Sequence, residues 1–404
     1  MKDRIDRLRR SVANSWAAFR RRTEVVTATA WLVAGLSIAG WFVGWRLGWL
    51  EGMWVAATGA VVLVVALLFM WGRSEIAIDL LVDPQRVTVG EPSGGVLVVT
   101  NAGGGRLLAL RVELPVGRNQ AIFDVPGLAG NASHSEEFVL PTSRRQVIAV
   151  GPATSVRGDP LGLFRRAVSL TDAIRLYVHP KIARLDNLGS GFLRDLEGQP
   201  TADLSNSDVA FHTLREYQPG DDRRFVHWKT TARIGTLMIR QFVDTRRSHL
   251  AVLLDTQPRS YRDADEFELA VSIAGSLGAR ALRDEQDVTL TSGAGPLGSL
   301  DGRHLLDSLA GVVLDPRGRD LVTQAALVNR TAAGVSIVAM VCGSNVSLAD
   351  CRAAANRFGP STRFFVIRAD LAGTTSIRPL GSATILDVAT LDEFPHLMWK
   401  VSQS

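Results

Sequence analysis

Hydrophobic and polar positions divide this 404-residue chain into three regimes. Residues 25–45 and 52–72 carry no charged side chain, and as helices each is long enough to cross ~30 Å of hydrocarbon. Trp31, Trp41, Trp45, Trp49, Trp54 and Trp71 gather toward the ends of those runs more than their middles, as interfacial aromatics do. The pattern predicts a transmembrane helical hairpin over 25–72. A cleaved signal peptide shares the outline of a basic start and an apolar run. Here the run is too long, a second follows at once, and no small-residue cleavage site stands out.

From 73 to 185 the apolar positions fall into short β-rich runs, at 76–82, 95–100, 107–114, 137–140, 146–150 and 175–179. Turns rich in Gly, Pro, Asn and Asp separate them. That spacing predicts an antiparallel β-sandwich of immunoglobulin-like type. A linker rich in Gly, Ser, Asp and Asn follows at 186–207. The remainder, 186–404, alternates buried-type strands (250–254, 288–290, 335–341, 363–367) with helical stretches (265–282, from 305, 320–332, near 348–358). Strands alternating with helices predict a mostly parallel sheet covered on both faces.

Charge sharpens the membrane reading. The formal charge is +5 and the mean hydropathy +0.12. Lys2, Arg4, Arg7, Arg9, Arg10, Arg20, Arg21 and Arg22 crowd the tail 1–24, whereas the hairpin loop has only Arg46 and Glu51. The positive-inside bias keeps that tail cytoplasmic, and two spans return the chain to the same side. The tail is suited to anionic lipid. Cys342 and Cys351 are too few for a disulfide framework and read as reduced thiols.

The stretch 211–242 organises the third region. An alternating run to Tyr217 ends at Gln218-Pro219-Gly220, a turn signal. Asp221 and Asp222 follow as helix N-cap candidates. Phe225, Trp228 and Ala232 recur at helical spacing, Gly235 stops the helix, and strand period returns at 237–242. Trp228 is expected in the core, holding the short helix against the sheet. Around it stand Arg215, Arg223, Arg224, Lys229, Arg233 and Arg240, against Glu216, Asp221 and Asp222. They form either a structural ion network or a docking face.

The string R-E-Y-x-P-G-D-D-x-R-x-x-x-W-K-x-x-A-R resembles the signature of the DUF58 family. Arg215, Glu216, Tyr217, Pro219, Gly220, Asp221, Asp222, Arg224, Trp228, Lys229, Ala232 and Arg233 carry it. Asp159-Pro160-Leu161-Gly162-Leu163-Phe164 resembles a second motif of that family, and reads locally as a turn with Leu163 and Phe164 tucked into the core. The resemblance implies a membrane-anchored protein with a von Willebrand factor A-like (vWA-like) domain from about 208 onward. It also implies a MoxR-type AAA+ ATPase as partner. The family has no assigned function.

Candidate chemistry is weak throughout. In metal-binding vWA domains the first strand ends Asp-x-Ser-x-Ser, giving a hard cation its oxygen ligands. Here Asp255 is followed by Gln257 and Arg259 at the serine positions, Arg319 stands where a threonine is expected, and Cys342 precedes Gly343. The metal site reads as degenerate, with Asp255 its relic. Gly293-Ala-Gly-Pro-Leu-Gly298 fits G-x-G-x-x-G, but Pro296 stiffens it and no helix starts there, so a hairpin turn is expected. No nucleophile elbow or Walker A lysine is present, and the basic block lacks the interleaved aromatics of a nucleic-acid surface. The reading is a non-enzymatic membrane scaffold with no cofactor. The alternatives are a hydrolase using Asp255, Asp221 or Asp222, or a structural envelope protein.

Overall fold

The structure, a computed structural model, describes residues 26–70, 75–159, 161–185, 209–218, 221–244, 249–332 and 334–403. The basic tail 1–24, the linker 186–207, and Pro219 and Gly220 of the signature lie outside them. The chain forms two compact units, one running to Val178 and one beginning at His179.

The first unit opens with helices α1 (Ala28–Leu47) and α2 (Leu50–Met70), both long and apolar enough to cross a membrane. Thr27 caps α1, accepting from the Ala30 amide at 3.4 Å, and Gly48 ends it in the left-handed conformation. The helices pack closely because glycines face each other. A Cβ on Gly40 would meet the Gly52 carbonyl oxygen at 2.8 Å. Trp31, Trp41, Trp45, Trp49 and Trp54 point outward, as lipid-facing side chains would.

Ten strands follow. They are β1 (Ile76–Asp83), β2 (Arg86–Thr88), β3 (Gly94–Asn101), β4 (Leu110–Val116), β5 (Asn119–Val125), β6 (Ser133–Val139), β7 (Gln146–Val150), β8 (Thr154–Gly158), β9 (Arg165–Ser169) and β10 (Ile174–His179). One sheet is ordered β1-β3-β6. The other runs β2-β10-β7-β4-β8-β9, with β5 on β4. Alternate residues of the two sheets, among them Leu80, Leu97, Val112, Leu114, Ile148 and Leu176, share one core, so the sheets form a sandwich. Four strands escape the sequence pattern. β2 and β9 are short and arginine-bearing, β5 mixes Asn119, Gln120 and Asp124 with its apolar residues, and β8 ends in Gly158.

In the second unit, β11 (Val209–Glu216) and β12 (Met238–Asp244) form a two-stranded antiparallel sheet, with helix α3 (Trp228–Ile234) between them in sequence. The main sheet comprises β13 (His249–Leu254), β14 (Asp287–Ser292), β15 (Gly295–Leu297), β16 (Val335–Gly343), β17 (Arg363–Ala369), β18 (Ser376–Leu380) and β19 (Ala383–Val388). Its order is β15-β14-β13-β16-β17-β19-β18. The five inner strands are parallel, and β15 and β18 are antiparallel edges.

Helices cover both faces, which is why the strands read as continuous apolar runs. Helices α4 (Ala264–Arg283) and α5 (Gly302–Ala310) cover one, joined by the last helix, α8 (Phe394–Gln403). Helices α6 (Leu321–Thr331) and α7 (Leu348–Ala355) cover the other. The segment after β10 belongs to this unit: His179 bonds Asp307 at 2.8 Å, the Ala183 amide donates to Ser276 Oγ, and Leu185 enters the core. The expected boundary at 185 thus moves back to His179.

Candidate functional site

The signature residues lie on the two-stranded arm, outside the seven-stranded sheet. Arg215, near the end of β11, grips Asp221 with both guanidinium nitrogens, at 2.7 and 2.6 Å. Asp221 also accepts the Gln218 amide at 2.8 Å, so it ties the turn instead of capping a helix. Asp222 caps a single 3-10 turn, Arg223–Phe225, accepting the Arg224 amide at 3.0 Å and the Arg224 side chain at 2.8 Å. The Arg215 hydrogen bonds hold the Asp221 carboxyl below its ordinary range, and the Arg224 hydrogen bonds do the same for Asp222. Helix α3 starts later than the aspartates suggest. His227 is its cap, with the Thr230 amide donating to Nδ1 at 3.3 Å, and Gly235 ends it at φ 83°.

Trp228 is not a core anchor. It is 68% exposed, and Ala232 is exposed beside it. The helical spacing from Phe225 is broken, because Phe225 sits in the 3-10 turn and Val226 is extended before α3 begins. Val226 makes the inward contact instead. It bridges to Ile239 of β12, and the two side chains are 6% and 5% exposed. The bridge of Val226 to β12, not a 3.6-residue period from Phe225, decides which side chain is buried. Tyr217 is half-buried and its amide donates to the Leu237 carbonyl at 2.8 Å. Glu216, Arg223, Arg224, Lys229, Arg233 and Arg240 are exposed. Among the described residues, Arg223, Lys229, Arg233 and Arg240 pair with no carboxylate.

The carboxyl ends of the parallel strands are the other place to seek a site. The first strand, β13, lies between the second, β14, and the next parallel strand, β16. A topological switch therefore falls between β13 and β16, where such sheets bind ligands. Here the loops at that point are joined to each other. The Asn345 amide donates to the Ser260 carbonyl at 3.1 Å, and its side chain to the Tyr261 carbonyl at 3.1 Å. The buried Glu266 carboxylate accepts the Ser344 and Arg262 amides. Gly343 lies against the Ser260 carbonyl with no room for a Cβ.

Asp255 is 2% exposed and accepts the Gln257 amide at 2.9 Å, and burial pushes its pKa up. The Gln257 side chain donates to the Gly318 carbonyl, while Arg259 and Arg319 are exposed. Cys342 and Cys351 are buried free thiols. The glycine-rich 293–298 stretch is the turn and second strand of the β14–β15 hairpin, with Ser292 opposite Gly295. Among the described residues, no three metal-binding side chains of the His, Cys, Asp or Glu type converge.

Two further features were not legible as sites. Asp159, nearly buried, accepts the Leu161 and Phe164 amides at 2.9 and 2.6 Å. The turn it builds offers the Gly162 and Leu163 carbonyls to Thr27 Oγ1, both at 2.8 Å, and Leu163 also accepts the Thr27 amide. Leu163 packs on Ala30 and Ala66 of α1 and α2 with Phe164, not in the sandwich core where the motif was expected to tuck them. Separately, an open cleft of ≈ 680 Å³ lies between the start of β18 and α8, lined in part by Thr374, Ile377, His396 and Lys400.

Residues 213–305 match the family model described as protein of unknown function DUF58. The match is to one segment of the chain, not to its whole length. It runs from the arm to α5, placing the arm and the β13 loop in one family unit. The uncharacterized protein YeaD of Bacillus subtilis (strain 168) is 30% identical to this chain over 137 residues. The match covers 33% of each, so the chain spans about a third of that relative's length. Among solved structures, the CARDB domain of a Pyrococcus furiosus protein in complex with di-metal ions is 15% identical. It covers 26% of this chain and 88% of that one, with a TM-score of 0.21. The C-terminal domain of wzt is 14% identical, covering 28% and 78%, also at 0.21. Likenesses at that level fix neither fold nor function.

Proposed function

We propose that this DUF58 chain is a membrane-anchored, non-enzymatic adaptor whose arm docks a cytosolic protein. The supporting observation is the arm itself. Asp221 and Asp222 are engaged by Arg215 and Arg224, while Trp228 and four basic side chains face outward. The apolar helices α1 and α2 are the anchor, with both termini cytoplasmic and the basic tail on anionic lipid. The strand order, with its switch at β13 and β16, is compatible with a vWA-like domain that has given up its metal site, because the loops there bond each other. The family resemblance implies a MoxR-type AAA+ ATPase as partner.

The hydrolase alternative would need a free carboxylate in an open pocket. Asp221 and Asp222 are held in ion pairs, and Asp255 is shut away. The decisive experiment is co-purification of the full chain from native membranes with and without ATP. Lys229→Glu and Arg233→Glu should lose the ATPase while melting as the wild type does. If these reversals unfold the unit instead, the arm is an internal ion network and the adaptor reading fails.

A further inference from the structure

We infer that the surface received by the arm is an acidic protein surface with an apolar socket, and that the Trp228 indole is the anchor that fills it. This rests on the reading of the arm as a docking element and specifies the chemistry of its partner. Successive α-helical positions turn by about 100°. Trp228 and Ala232 therefore share one face of α3, and Lys229 and Arg233 share the next. All four are exposed. Ile234, also exposed, lies on a different side, about 120° from Trp228. The indole is thus a single knob beside a small residue. It is not part of the continuous apolar stripe that an interfacial helix lays into a bilayer.

Charge narrows the occupant. The arm's Asp221 and Asp222 are neutralised by Arg215 and Arg224, so Arg223, Lys229, Arg233 and Arg240 face solvent against Glu216. A second copy docking by the same face would bring like charges together, which disfavours association. Carboxylates around a socket would complement Lys229 and Arg233, which lie on the face of α3 next to Trp228. Buried Trp and Arg side chains are the residue types that dominate protein–protein affinity. The division of labour follows. Trp228 sets the lifetime of the complex, and the surrounding cations set its rate of formation and salt dependence.

The test places the photo-crosslinker p-benzoylphenylalanine at position 228 of the full chain in its own membranes and maps the adduct by mass spectrometry. The expected adduct is a cytosolic protein, joined at an apolar residue flanked by Asp or Glu. Adding Lys229→Glu and Arg233→Glu should cut its yield at least about 10-fold. With that protein purified, Trp228→Ala should weaken binding by about 30-fold or more, and Trp228→Phe should recover part of it. An adduct to lipid, to nucleic acid, to a second copy or to an uncharged peptide would overturn the inference, as would no adduct. An acidic partner that is not an AAA+ ATPase would leave the inference standing and remove the ATPase from the proposed function. An ATPase joined through an uncharged surface would do the reverse.

Discussion

The outward placement of Trp228 makes a quantitative claim about the arm. A tryptophan side chain presents ~250 Å² when fully buried, so at 68% exposure about 80 Å² is withdrawn from water. At ~25 cal/mol per Å² that sets a ceiling near 2 kcal/mol for Trp228→Ala. Part of that area is already covered in the unfolded chain, so about 1 kcal/mol is expected. Ile239, at 5% exposure and opposite Val226, is the contrast. Ile239→Ala deletes three carbon groups at ~0.8 kcal/mol each and leaves a cavity, for about 3 kcal/mol. Because β11 and β12 form a two-stranded sheet apart from the seven-stranded one, the loss should appear as local opening. Hydrogen exchange at the Arg215 and Tyr217 amides, which face β12 and the residue before it, reads it directly. At tenfold per 1.4 kcal/mol, Ile239→Ala should accelerate exchange by about 100-fold and Trp228→Ala by about 5-fold. Equal acceleration by the two substitutions would refute the exposed indole.

Three further outcomes are expected. A reporter fused after Ser404 should be active in the cytosol, and activity only outside the cell would reverse the topology and remove the cytosolic partner. Calorimetric titration should find no millimolar Mg²⁺ affinity, and an affinity lost in Asp255→Ala would restore the metal site. The Asp221 and Asp222 carboxyls sit below their ordinary pKa because Arg215 and Arg224 bond their charged forms. Their stabilisation of the arm is therefore complete above the unfolded value of about 3.9 and is lost as pH falls through the lowered folded values. Arm order followed by NMR from neutral to acid should show this loss, and Asp221→Asn should remove its share, with no acid dependence left from the Arg215 pair.

What could be read along the chain depended on how local the cause was. Leu250 to Leu254 is visible as a strand because helices cover both of its faces, and every residue in it had to be apolar. β19 sits equally deep but carries Asp387, which breaks its hydropathy pattern. That carboxylate is tolerated because Arg378 reaches it at 2.5 Å and Ser376 at 2.9 Å, both from the neighbouring β18. Such compensation cannot be seen before the strands are paired. Trp228 misleads for the opposite reason: its hydrophobicity suggests burial, but the helix begins too late to turn it inward. The arm's ion pairs were partly legible, because Arg215 and Asp221 lie close in sequence. The contact of Thr27 with the 159–164 turn was not, since its hydrogen bond to Gly162 spans 135 positions.

That last contact has a mechanical consequence. Thr27 is the residue from which α1 starts, and the turn holding it belongs to the loop between β8 and β9. The sandwich is therefore fastened to the start of an apolar helix long enough to cross a membrane. A hydrophobic hairpin answers a thinner or thicker bilayer by tilting, at fractions of a kcal/mol per ångström of mismatch. In a bilayer crossed by α1, with Thr27 clasped, a tilt of the helix would become a swing of the β-domain, as a lever turns on its pivot. Fluorescence distances from the sandwich to the lipid surface should then differ between short- and long-chain bilayers. Asp159→Ala, which removes the turn's internal bonds, should uncouple the two.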